Sequence, residues 1–211
     1  MKTILCYGDS LTWGSDPATG GRHPPECRWP NVLQAGLGGD YCVITDGLRG
    51  RTTGYDEHLA DCDRNGARLL ATALYAHAPL DLVILLLGSN DMKPHIAGTA
   101  IAARQGIKRL AAIARNHNPG PDLARPKVLI VSPPPLCETP DGFFAALFAG
   151  GIEPSRALAS HYAEEAKAEG AEFFDGGSAA ETSPLDGVHL DAGNTVKLGR
   201  ALVGEVRRIL G

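Results

Sequence analysis

Leu82-Val83-Ile84-Leu85-Leu86-Leu87 is an apolar run with no polar interruption. A strand wetted on one face would alternate polar and apolar residues. A run without alternation predicts a strand buried on both faces, as in the middle of a parallel sheet covered by helices. Outward from it, shorter strand-like runs recur at Thr3–Tyr7, Tyr41–Thr45, Lys127–Val131 and Glu172–Phe174. Between them lie segments with helical spacing. Arg64–Ala78 places Ala67, Leu70, Leu74 and Ala78 on one face, and Ala100–Arg115 places Ile101, Ile107, Leu110, Ala111 and Ala114 inward. Pro154–Glu169 offers Leu158, Tyr162 and Ala166. The last helix, Ala192–Leu210, offers Val196, Leu198, Leu202, Val206 and Ile209, with Asp191 in the N-cap region and Gly211 ending it. Strands alternating with helices predict right-handed crossovers and an α/β fold with a five-stranded parallel sheet.

In such sheets ligands bind beyond the carboxyl ends of the strands. Ser10 follows the first run, Gly50 the second, Asn90 the third and Pro133–Pro135 the fourth, so all four are expected on one sheet edge. Gly/Pro-rich stretches at Asp16–Pro25, Asn118–Pro126 and Ser132–Pro154 are expected to be irregular. The last carries Phe143, Phe144, Leu147 and Phe148 and reads as a binding loop or an interface arm.

The 211 residues suit a single domain over 1–211, with 44% hydrophobic and 21% charged residues typical of a soluble globular chain. A net charge of -4 leaves no basic footprint for nucleic acid. No apolar run approaches the roughly 18 residues that span a bilayer, so no membrane partner is expected. Met1–Tyr7 is too short for a signal-peptide core, which predicts a cytoplasmic protein. The five cysteines (Cys6, Cys27, Cys42, Cys62, Cys137) are odd in number and lack metal-ligand spacing, so neither a disulfide framework nor a metal site is expected.

Chemistry concentrates in four short blocks. Serine is a poor nucleophile at neutral pH and needs a base within hydrogen-bond reach, itself oriented by a third group. Ser10, in Gly8-Asp9-Ser10-Leu11, stands where a strand turns into a helix; taken alone it reads equally well as a helix cap. His189 follows Asp186 by three residues, and Gly187 between them permits a tight turn that would aim the carboxylate at Nδ1 and leave Nε2 for Ser10. A tetrahedral intermediate also needs donors for its oxyanion, each worth about 3–4 kcal/mol of barrier. The Ser10 N–H, the Gly50 N–H and the Asn90 side-chain amide are the candidates; singly, Gly50 reads as a turn glycine and Asn90 as a loop cap. Asp9 and Asp91 read as braces for these loops.

In order, Gly8-Asp9-Ser10-Leu11-Thr12-Trp13-Gly14, Gly50, Gly88-Ser89-Asn90-Asp91 and Asp186-Gly187-Val188-His189 resemble the four blocks of the SGNH (GDSL) hydrolase superfamily. Within it the chain is similar to the bacterial arylesterase and acyltransferase branch, through Ile4–Gly14, Gly47–Thr53, Leu80–Asp91 and Val128–Leu136. The resemblance implies a flavodoxin-like three-layer α/β/α fold and a Ser10–His189–Asp186 triad. It further implies an oxyanion hole of Ser10, Gly50 and Asn90, and no metal or organic cofactor. It also implies a homo-oligomer whose loops build a narrow apolar channel, with acyl transfer to alcohols or hydrogen peroxide in some members. Ser15 stands where acyltransferases of the branch can carry a bulky aromatic, and Arg49-Gly50 where some carry Ser-Ala, so a preference for acyl transfer is not carried across. Asp9, Leu11, Trp13, Ser15, Arg49, Pro135, Phe148 and Val188 are the candidate substrate-binding residues.

The expected function is a serine carboxylic ester hydrolase for small, short-acyl aryl or alkyl esters. The alternative is a carbohydrate O-deacetylase, or a thioesterase/lysophospholipase, with the same triad; the apolar Phe143–Phe148 segment weighs against a sugar site. A noncatalytic flavodoxin-like module is disfavoured because Asp9 would repel a phosphate and no triad member is missing.

Overall fold

Strands β1 (Lys2–Gly8), β2 (Tyr41–Gly47), β3 (Leu82–Leu86), β4 (Lys127–Ser132) and β5 (Glu172–Asp175) pair in the order β2-β1-β3-β4-β5, every pair parallel. This is the doubly wound flavodoxin-like order expected above. The structure is a computed structural model describing residues 1–121 and 123–211; position 122, inside the stretch 118–126, lies outside the described residues. The helices are α1 (Ser10–Trp13), α2 (Trp29–Leu37), α3 (Gly66–His77), α4 (Ala100–Asn116), α5 (Gly142–Leu147), α6 (Ile152–Arg156), α7 (Leu158–Glu169) and α8 (Ala192–Leu210).

The run 82–87 is unbroken because its two faces feed different cores. Leu82, Ile84 and Leu86 pack with Trp29 and Leu33 of α2 and Leu198 and Leu202 of α8. Val83, Leu85 and Leu87 pack with Leu70 and Leu74 of α3, Ile107 and Leu110 of α4 and Tyr162 of α7. Each such side chain is fully buried, which stabilises the fold by about 1.5–3 kcal/mol apiece relative to exposure.

Several local expectations need correction. The helix expected over 154–169 is two, α6 and α7, because the Ala157 N–H bonds back to Pro154 in a tighter turn. The stretch 132–154 is not all irregular: Asp141 caps α5 by accepting from the Phe143 and Phe144 N–H groups. Helix α2 lies outside the predicted set; Pro30 in its first turn loses no hydrogen bond there. Ile101 is 54% exposed, not inward, because the Thr99 cap phases α4 so that Ala100, Ala103 and Ile107 face the core.

The consequence for function is positional. The residues after β1, β2 and β3 meet at one end of the sheet, beside the β1/β3 switch point where the winding direction reverses. Among the described residues no helix is long and apolar enough to cross a membrane.

Candidate active site

Ser10 opens α1, directly after the buried strand β1. Asp9 caps that short helix through the Leu11 N–H, 2.9 Å away. The chain thus turns sharply and leaves the Ser10 side chain at the mouth of the sheet.

Asp186 and His189 form a self-contained turn. Asp186 Oδ1 accepts from the backbone N–H groups of Val188 (2.9 Å) and His189 (2.8 Å), while Oδ2 lies 2.6 Å from His189 Nδ1. Gly187 sits between them at φ +75°, and a Cβ there would approach the Cys137 carbonyl oxygen to 2.4 Å. Only glycine fits both demands. His189 Nε2 then lies 3.0 Å from Ser10 Oγ, across 179 positions of sequence. An ionised carboxylate only accepts, so Nδ1 carries the imidazole proton and the Nε2 lone pair faces the serine hydroxyl. Burial pushes the Asp186 carboxyl up, but the His189 hydrogen bond and charge, with the two backbone N–H groups, hold it below the usual range.

The other loops complete the floor. Leu48–Arg51 is a turn closed by the Arg51 N–H to the Leu48 carbonyl, with Gly50 at φ +81°. Arg51 is buried and pins it: its guanidinium donates to the Gly8 and Asp46 carbonyls and to the Asp46 carboxylate. Asn90 Nδ2 donates to the Arg51 carbonyl at 3.1 Å and reaches Asp9 Oδ2 at 3.4 Å. Asp91 braces the same loop by accepting from the Thr53 N–H and hydroxyl. Burial raises the carboxyl of Asp9 to about 6 and that of Asp91 to about 7.

These residues face a cavity of ≈ 540 Å³. Ser10, Gly50, Asn90, Asp186 and His189 all line it, as do Ser15, Arg49, Phe148 and Val188. Asp9, Leu11, Trp13 and Pro135 do not. Asp9 is fully buried beneath the Asn90 amide, and Leu11 packs into the α2/α8 core. Trp13 lies between the guanidinium groups of Arg22 and Arg49, 4.7 and 4.9 Å away. The Pro135 carbonyl accepts from the Thr182 hydroxyl. Arg64 and Lys93 also line the cavity and carry no signal in local sequence; each is a single cation placed by long-range packing. Phe144 stands edge-on to the His189 ring, centroids 5.8 Å apart, and stacks with Phe148 at 6.4 Å.

A parallel α/β sheet with serine, imidazole and carboxylate in one hydrogen-bonded line defines a carboxylesterase-type serine hydrolase. The chain belongs to the GDSL-like Lipase/Acylhydrolase family, whose model matches residues 6–197. It is similar in structure to a carbohydrate acetylesterase family member from Sinorhizobium meliloti, at 60% identity and a TM-score of 0.98 over 100% of both chains. A second carbohydrate acetylesterase from the same organism is 38% identical with a TM-score of 0.94, over 99% of this chain and 100% of that one. An aryl esterase from M. smegmatis is 40% identical with a TM-score of 0.95 over 100% of both. Among curated proteins no sequence matches.

Proposed function

We propose that the protein removes acetyl groups from O-acetylated carbohydrates through an acyl-enzyme on Ser10. His189 Nε2 takes the Ser10 proton as Oγ attacks the ester carbonyl. Asp186 stabilises the imidazolium that forms, and His189 returns the proton to the departing alcohol oxygen. The alkoxide that develops on the carbonyl oxygen is met by the Ser10 and Gly50 N–H groups and the Asn90 amide. Water, activated by the same imidazole, then releases acetate; an alcohol or hydrogen peroxide in its place would give acyl transfer or perhydrolysis.

The observation that carries the chemistry is the 3.0 Å and 2.6 Å pair of contacts made by the two His189 nitrogens. Toward a sugar, the support is the polar part of the cavity lining, where Ser15, Arg64 and Lys93 offer hydrogen-bond donors suited to hydroxyls. The apolar reading of 143–148 describes one wall only. The relative at 60% identity, a carbohydrate acetylesterase family member, points the same way. A second reading, hydrolysis of small short-acyl aryl or alkyl esters, is favoured by the flat apolar surface of Phe144 and Phe148.

Phe143 (70% exposed) and Leu185 (53%) stand at the cavity mouth, and we read them as part of a contact with further copies of the chain. A reducing compartment, the cytoplasm, suits the five free thiols.

The test is acetate release from glucose pentaacetate and from phenyl acetate, by wild type and Ser10→Ala. Serine-dependent release from both supports the proposal. Release from phenyl acetate alone replaces it with the second reading, and release from neither refutes both.

A further inference from the structure

The three donors for the oxyanion come from three separate loops: the Ser10 N–H after β1, the Gly50 N–H after β2 and the Asn90 amide after β3. No single loop can set the distances among them, and a misplacement of about 1 Å can cost about 10²-fold in rate. Arg51 touches all three loops. Its Nη1 donates to the Gly8 carbonyl at 2.9 Å, two residues before Ser10, and to the Asp46 carbonyl at 2.7 Å. Its backbone N–H donates to the Leu48 carbonyl at 3.0 Å and so closes the turn that carries Gly50. Its own carbonyl accepts from Asn90 Nδ2 at 3.1 Å. A carbonyl only accepts, so this contact holds the nitrogen of the Asn90 amide, not its oxygen, on that side. One Nδ2 proton is taken up there. The other, with Asp9 Oδ2 at 3.4 Å, is only weakly held and remains for a developing alkoxide.

Closing a turn does not need so costly a device. The Leu48–Arg51 turn uses a backbone bond that almost any residue would supply. The Arg51 side chain is 5% exposed, with Asp46 Oδ1 at 2.8 Å from its Nη2 and the Tyr7 ring 4.0 Å from its Cζ. Its Nε is buried with no partner among the described residues. A buried cation with one donor unpaired is a poor source of stability. What the planar fork does supply is simultaneous reach to Gly8 and Asp46, at the adjoining ends of the paired strands β1 and β2.

We infer that Arg51 is a positioning residue of the oxyanion hole: it locks the ends of β1 and β2 and the Asn90 amide into one frame, so that three donors meet the same oxygen. Arg51 does not line the cavity, so its loss removes no contact to substrate. The inference rests on the esterase reading above and adds the residue that sets its donors.

The test measures kcat and KM for phenyl acetate, well below the Tm of each protein, in wild type, Arg51→Met, Arg51→Lys, Asn90→Ala and the double variant Arg51→Met/Asn90→Ala. Arg51→Met is expected to lower kcat by about 10²-fold with KM within about threefold of wild type. Arg51→Lys can still donate to Gly8 or Asp46 and should regain about tenfold of that loss. The double variant should fall short of the product of the two single losses by about tenfold or more, because both changes act on one donor. An unchanged kcat, a loss confined to KM, losses that multiply, or a lysine variant as poor as the methionine one would each overturn the assignment. Should Arg51→Met fail to fold, Asp46→Ala decides. It removes only the half-buried carboxylate from the edge strand β2. It should lower kcat by about threefold to tenfold in wild type and hardly at all in Asn90→Ala. Equal effects in the two backgrounds, or none in either, overturn the clamp. Absence of turnover by wild type would instead strike the esterase reading itself.

Discussion

The two walls of the cavity are made in opposite ways. The polar wall is assembled from the ends of β1, β2 and β3, and each piece is held by buried hydrogen bonds: Arg51 to Gly8 and Asp46, Asn90 to Arg51, Asp91 to Thr53. The apolar side is carried by one segment, 143–148: the side chains of α5 are exposed or half-buried, and Phe148, just after it, is buried. Bond-making on this account belongs to groups fixed by the sheet. The aromatic segment meets them through Phe144, against the His189 ring. The difference teaches that bond-making and the apolar surface offered to a substrate are assigned to separate stretches of chain.

The comparison breaks most easily at the rigid wall. Ser10→Ala and His189→Ala should each lower kcat/KM for phenyl acetate by about 10⁴-fold or more, and the double variant little further, because the two act as a unit. Initial rates that multiply the two losses would show independent roles. Asn90→Ala should reduce kcat by about 10²–10³-fold with KM nearly unchanged, as for a donor used in the transition state. A loss confined to KM would make Asn90 a ground-state binder.

On the apolar wall the effects should be smaller and of another kind. Phe144→Ala removes the ring beside His189 and Phe148, and should raise KM for aryl acetates by about threefold to tenfold with little change in kcat. An equal fall in kcat would mean that the ring also holds the imidazole in place.

The smallest effect concerns stability. Burial raises Asp9 to about 6 and Asp91 to about 7, so between about pH 4 and 7 the folded state holds protons that the unfolded chain has released. Their contribution is therefore fully present below about pH 4 and is lost as pH rises toward 7. Asp91→Asn keeps an acceptor for Thr53 and cannot ionise, so the Tm of this variant should fall less than that of wild type across the same window. Parallel Tm–pH curves would show that Asp91 ionises as freely in the folded state as in the unfolded chain.

What was legible in sequence follows the same division. The sheet could be read because a strand buried on both faces leaves an unbroken apolar run, as 82–87 does. Asp186 and His189 could be paired because their hydrogen bonds close within four residues. Leu11 adjoins Ser10 in sequence, yet the next residue of a helix points to another face, here into the core, and Trp13, at the end of α1, is taken up by two arginines instead of the cavity. Arg64 and Lys93 were invisible because nothing local distinguishes a lysine that packs under a cavity from one in solvent. The mixed polarity of the lining is half legible for the same reason: 143–148 is contiguous and conspicuous, whereas the polar residues are scattered over eighty positions.

The central claim, that the Ser10 hydroxyl is the nucleophile activated by His189, is met most directly by trapping. The protein is treated with a p-nitrophenyl phosphonate, digested, and the adduct located by mass spectrometry. One adduct per chain on the peptide carrying Ser10, formed far more slowly in His189→Ala, is the expected result. Labelling elsewhere, or equally fast labelling without the imidazole, would contradict it.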